Sequence, residues 1–76
     1  MNPRVIEVKV TNDYVLDLVF TNQEKKQFDV KPYLNFGMFT ELKDYSMFRT
    51  AKVEFGTVSW SNGLDICPDT LYIGSK

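Results

Sequence analysis

Three times between Arg4 and Pro32 apolar residues fall at every second position, and that period of two leaves so short a chain few folds to choose from. In "RVIEVKVTN", Ile6, Val8 and Val10 alternate with Glu7, Lys9 and Thr11, which predicts a first strand with one buried face. After Asn12 and Asp13, "YVLDLVF" places Leu16, Leu18 and Phe20 on one side and Val15, Asp17 and Val19 on the other. A polar "TNQEKK" turn follows. "QFDVKP" then offers Phe28 and Val30 to the apolar face before Pro32, which has no amide to extend a ladder. The first half is predicted to be a three-stranded antiparallel meander.

From Pro32 to Thr50 the period lengthens: Phe39 and Leu42 stand three apart, and Asp44 precedes "YSMF" as an N-cap. One or two short helices are predicted here. Helices this short are marginal alone, so they must be held by packing Phe36, Phe39, Leu42 and Phe48 on the sheet, with Gly37 as the permissive backbone position between them. Further on, Ala51, Val53 and Phe55 alternate with Lys52 and Glu54, and Val58 and Trp60 lead into Asn62-Gly63. That dipeptide tolerates the two positive φ angles of a type I′ turn, so "TVSW" should pair with "LDI" in a C-terminal β-hairpin. Pro68 ends the strand, and "PDTLYI" reads as one helical turn or an extended tail. The fold class is α+β, and 76 residues make one domain over 1–76.

A domain of this size buries only about 60% of its unfolded surface, and six Phe, four Tyr and one Trp offset that with large apolar areas. Cys67 is the single cysteine and has no internal partner for a disulfide. The N-terminus lacks the features of a signal peptide, and no apolar run approaches the about 18–20 residues of a membrane span. The expected location is therefore the cytoplasm, in a reduced state and away from membranes. Nine basic and ten acidic residues give a net charge of −1, with the lysines scattered, so direct nucleic-acid binding is not expected. The absence of histidine removes the commonest general base and the imidazole metal ligands. The four glycines are isolated from one another and form no phosphate loop. The chain is read as a non-enzyme, with no catalytic residue, cofactor or metal.

"SWSNGLDICPDTLY" gathers the residues that most invite a chemical reading. Carboxylates at Asp65 and Asp69 are expected to raise the Cys67 thiol pKa, which favours a small, partly buried residue over a nucleophile. Asn62, Asp65 and Asp69 do not have EF-hand spacing and read as turn and cap residues. Trp60 with Tyr14, Tyr33 and Tyr72 would make a stacking platform, but Trp60 shares a strand face with Val58 and is placed in the core. Trp60, Asn62, Gly63, Asp65, Pro68, Asp69 and Leu71 are accordingly assigned structural roles.

The same residues carry a resemblance. Their pattern, Trp-x-Asn-Gly-x-Asp-(Ile/Leu)-x-Pro-(Asp/Glu)-x-Leu, together with the spacing of Phe39, Leu42, Asp44 and Phe48, resembles a family of small bacterial domains of unknown function, the DUF2442 type. The likeness covers nearly the whole chain. It implies a compact α+β fold which, in some relatives, precedes a helix-turn-helix domain, and it implies no catalytic residues. It also makes an antitoxin-like pairing with a protein from an adjacent gene conceivable.

Two functions follow as expectations. The first is a non-enzymatic protein-binding or regulatory module, its edge strands open to a homodimer or a small protein partner. The alternative is a nucleic-acid-associated transcriptional regulator using Lys25, Lys26 and Lys31.

Overall fold

The computed structural model describes residues 2–76. Strands β1 (Val5–Val10), β2 (Val15–Phe20) and β3 (Lys25–Asp29) form an antiparallel sheet in the order β1-β2-β3, the meander read from the period of two. Register sets Val8 opposite Leu18, and Leu16 opposite both Val10 and Phe28, so these apolar side chains share one face. Leu16, Leu18, Phe20, Phe28 and Val30 are all buried on it. Glu7, Lys9, Asp17, Lys25 and Gln27 fall on the opposite face by the same alternation.

Strand β1 departs from the expected phase at its start. The register slips between Val5 and Glu7, so Val5 faces Phe20 and is buried, while Ile6, expected inside, is 51% exposed. One extra residue on one strand is a β-bulge, which bends the strand and changes the side on which later residues project. Thr21 still donates to the Arg4 carbonyl at 2.8 Å, while the Val5 amide donates to Gly56 O at 2.9 Å, across to the second half of the chain.

The connection between the halves contains a 3₁₀ turn at Lys31–Tyr33 that begins around Pro32, a second 3₁₀ segment at Gly37–Lys43, and one helical turn, α1 (Tyr45–Phe48). Asp44 caps α1, its Oδ1 accepting from Ser46 N at 3.1 Å and from Ser46 Oγ at 2.7 Å. Leu42 and Phe48 are fully buried and Phe39 packs partly against the core. Phe36, expected to join them, is instead 66% exposed. It is the extended residue ahead of the second 3₁₀ segment (φ −117°, ψ 123°), so the helical phase that would turn it inward does not reach it. Gly37 follows at φ +52°, a conformation that favours glycine.

The C-terminal part is larger than the predicted hairpin. Strands β4 (Lys52–Glu54), β5 (Thr57–Ser59) and β6 (Asp65–Ile66) form a second antiparallel sheet in the order β4-β5-β6, and α2 (Pro68–Gly74) follows with Pro68 in its first turn. Both central residues of the β4–β5 turn have positive φ, Phe55 at 53° and Gly56 at 78°, the signature of a type I′ turn. The type I′ geometry expected at Asn62-Gly63 therefore lies at Phe55-Gly56. In the Trp60–Leu64 turn only Gly63 has positive φ, at 91°. Gly63 N donates to Trp60 O at 3.0 Å and Trp60 N to Leu64 O at 2.9 Å, a three-residue loop closed by a left-handed glycine. It still pairs Val58 with Ile66, because either loop brings the two strands together.

Trp60 lies in the core at 2% exposure, its ring 6.3 Å from that of Phe48, and its Nε1 donates to Phe48 O at 2.9 Å. Leu71 of α2 is fully buried, and a Cβ added at Gly74 would lie 2.9 Å from Phe28 Cε1, so only glycine permits this approach of α2 to β3. The chain then reaches β3, where Gln27 and Lys76 exchange backbone hydrogen bonds at 2.9 and 3.1 Å. That reciprocal pair covers part of the β3 edge, which the sequence reading leaves open. Among the described residues no helix is long and apolar enough to cross a membrane.

Tyr72 ties α2 to the β2–β3 turn. Its hydroxyl donates to Glu24 Oε1 at 2.5 Å, its ring packs edge-on to Phe20 at 5.0 Å, and Lys26 Nζ sits 4.0 Å above its centroid. The Tyr72 bond, with help from the Asn22 amide and Lys26, lowers the Glu24 pKa below 4.5, and the same bond raises that of Tyr72 above 10. Glu24 therefore adds stability above its unfolded pKa that is lost as pH falls through the lowered folded one. Tyr72 adds stability below its unfolded pKa that is lost as pH rises through the raised folded one. Tyr72→Phe should flatten stability against pH at both ends, below pH 4.5 and above pH 10, as read by thermal melts across pH. Trp60→Phe opens space in the core and removes one of the two hydrogen bonds that Phe48 O accepts, leaving that from Ala51 N at 3.2 Å; a loss of about 2 kcal/mol or more is expected, lowering Tm by roughly 10 °C.

Candidate functional site

The residues that looked like a cluster in sequence are dispersed by the fold. Trp60 and Leu71 point into the core, and Gly63 closes its turn. Asn62 Oδ1 accepts from Leu64 N at 3.1 Å, while its Nδ2 donates to Glu41 Oε1 at 3.2 Å. Pro68 opens α2. Neither aspartate supplies a cap. Asp65 is exposed on β6, and Asp69, in the first turn of α2, accepts from Asn2 Nδ2 at 3.3 Å. Among the described residues no three His, Cys, Asp or Glu side chains are grouped to hold a metal ion.

The tyrosines do not assemble a platform around Trp60. Tyr14 donates to Lys43 O at 2.5 Å and meets Tyr45 edge-on at 5.9 Å, whereas Tyr33 stacks on Phe28 at 5.6 Å and Tyr72 lies against Phe20. Each ring braces a different part of the core. Of the three lysines singled out in sequence, Lys26 pairs with Glu24 at 3.7 Å and Lys31 with Asp29 at 3.2 Å. The first sheet carries an open depression of about 610 Å³ whose charged lining is Glu7, Lys9, Asp17, Lys25 and Lys26. Both signs of charge are interspersed there, with Lys9 opposite Asp17 and Gln27 Nε2 donating to Asp17 Oδ1 at 2.8 Å, so it is not a single-sign patch that would focus a charged ligand.

What the fold does expose is apolar. Phe55 is 90% exposed at the tip of the β4–β5 turn, and Ile6 is 51% exposed at the β1 bulge. The two positions are joined through the backbone: Val5 N binds Gly56 O, and Arg4 Nη1 donates to Phe55 O at 3.1 Å. A Cβ at Gly56 would meet Arg4 Cδ at 2.8 Å, so glycine is needed there for Arg4 to lie across the turn. Phe36 and Met38, 66% and 55% exposed, make a second apolar site on the connecting segment. Strand alternation had assigned Phe55 to the inside, because it ignores the turn that Gly56 creates. The one signal in the sequence was the bulky residue directly before that glycine.

Cys67 differs from its expectation on both counts, being exposed and having a lowered pKa. The Thr70 hydroxyl, 3.2 Å from Sγ, is the main cause, and backbone amides of the first turn of α2 add to it; the Asp69 charge acts in the raising direction and is outweighed. Thr70→Val should raise the thiol pKa, so that iodoacetamide alkylates Cys67 more slowly at neutral pH; an unchanged rate would show that Thr70 has no hold on the thiolate.

No curated protein and no solved structure matches the chain at a significant level. A family described as "Protein of unknown function (DUF2442)" matches residues 5–76, which takes in both sheets and α2. The chain belongs to the DUF2442 family.

Proposed function

We propose that this chain is a non-enzymatic protein-binding module and that Phe55 is the anchor of its contact surface. The observation that carries this reading is a phenylalanine at φ 53° with 90% of its surface in solvent. A bulky residue held at positive φ costs about 1–3 kcal/mol, and in a type I′ turn Asn or Gly would fit without that strain. Burial does not offset the strain here. An exposed aromatic ring with Ile6 nearby along the backbone junction suits the hydrophobic centre of an interface, where such rings act as anchors. Bacterial origin, a cytoplasmic setting and a regulatory role, with a homodimer or a small protein partner from an adjacent gene, fit the same reading. A nucleic-acid interface draws less support, since Lys26 and Lys31 are engaged by Glu24 and Asp29.

Phe55→Asn separates folding from binding. The variant should melt about 5 °C higher, because it relieves a strain of roughly 1 kcal/mol; the wild type should show a partner in affinity copurification or self-association in light scattering, and the variant should lose it. Wild type and variant behaving alike in both association assays would remove Phe55 from any interface.

A further inference from the structure

We propose that Asn62 is a spontaneous deamidation site whose reaction the native turn holds back and whose product cannot rebuild that turn. Five asparagines occur in the chain. Asn2 precedes Pro3, which has no amide hydrogen to lose, and Asn12, Asn22 and Asn35 precede Asp13, Gln23 and Phe36, whose side chains crowd the attacking nitrogen. Only Asn62 is followed by glycine, and no atom beyond the two chain neighbours lies within 4 Å of where a Gly63 Cβ would stand.

In the reaction the Gly63 backbone nitrogen attacks Asn62 Cγ. A new C–N bond closes a five-membered imide, the bond from Cγ to Nδ2 breaks, and the amide proton leaves with the nitrogen as ammonia. Water then adds to either imide carbonyl and opens the ring, leaving aspartate or isoaspartate. The net change is one side-chain amide and one water converted to a carboxylate and ammonium, with no oxidant or reductant.

The folded turn opposes each motion this requires. The Gly63 N–H, which must be lost, is donated to Trp60 O at 3.0 Å. The Asn62 side chain, which must swing its Cγ over that nitrogen, is held at both ends, Oδ1 by Leu64 N and Nδ2 by Glu41 Oε1. Ring closure therefore waits for the turn to open, and its rate follows the open population. Once formed, the product works against refolding. Aspartate sets a carboxylate against Glu41 where an amide donated to it, and isoaspartate lengthens the backbone by one atom between the residues whose spacing fixes the Trp60–Gly63 bond. The damage thus falls beside the only tryptophan of the core.

The test is peptide mapping by mass spectrometry of wild-type protein kept at mildly alkaline pH, in buffer and in denaturant. Conversion in denaturant should fall at Asn62 before any other asparagine, and in buffer it should be slower by about tenfold or more. Equal rates in the two conditions, or another asparagine reacting first, would overturn the proposal. A second arm measures the product's effect: Asn62→Asp should lower Tm, and Glu41→Gln added to it should restore most of the loss. An Asn62→Asp protein melting with the wild type would show that deamidation leaves the turn intact.

Discussion

The hydrogen bond from Val5 N to Gly56 O joins two small sheets, neither of which could bury its apolar face alone. It exists because β1 is bulged at Val5 and Ile6, which turns an amide away from β2, and because the β4–β5 turn presents the Gly56 carbonyl. Other features follow from this junction. Arg4 lies across Gly56, Val5 replaces Ile6 in the core, and β1 packs against both β4 and β5. Phe55 and Ile6 are left outside by the same geometry, so the join that completes the core also creates the apolar surface.

The remainder of the core is organised around Trp60. Its buried ring packs beside Phe48, and its indole N–H donates to the Phe48 carbonyl at the end of α1, helping to hold a connecting segment that is too short to be helical unaided. From the other side α2 is brought close by Gly74 and anchored by Leu71 and Tyr72. The chain end then pairs with Gln27 on β3. Covering a strand edge in this way is a common protection against unwanted pairing.

Strands β2 and β3 were legible because their periodicity is uninterrupted and one face is buried: Leu16, Leu18, Phe20, Phe28 and Val30 all lie where alternation put them. Asp44 was legible as a cap because capping depends on residues a few positions apart. The errors at Ile6, Phe36 and Phe55 share a cause. Each residue sits next to a local irregularity, a bulge, an extended lead-in or a tight turn, and a periodic reading passes through such points without a change of phase. The candidate surface was hidden for that reason, since it consists of the residues displaced from the pattern.

By itself the sequence determined the first sheet, the pairing of β5 with β6, membership of the DUF2442 family and the lack of any histidine side chain, because each depends on residue type or on spacing along the chain. Only the tertiary structure decided which turn adopts the type I′ form, that β4 makes the second sheet three-stranded, that Cys67 is exposed beside Thr70, and that Phe55 faces solvent. Those outcomes depend on contacts between residues far apart in the chain, above all Arg4 and Val5 with Phe55 and Gly56, and local periodicity holds no information about such contacts.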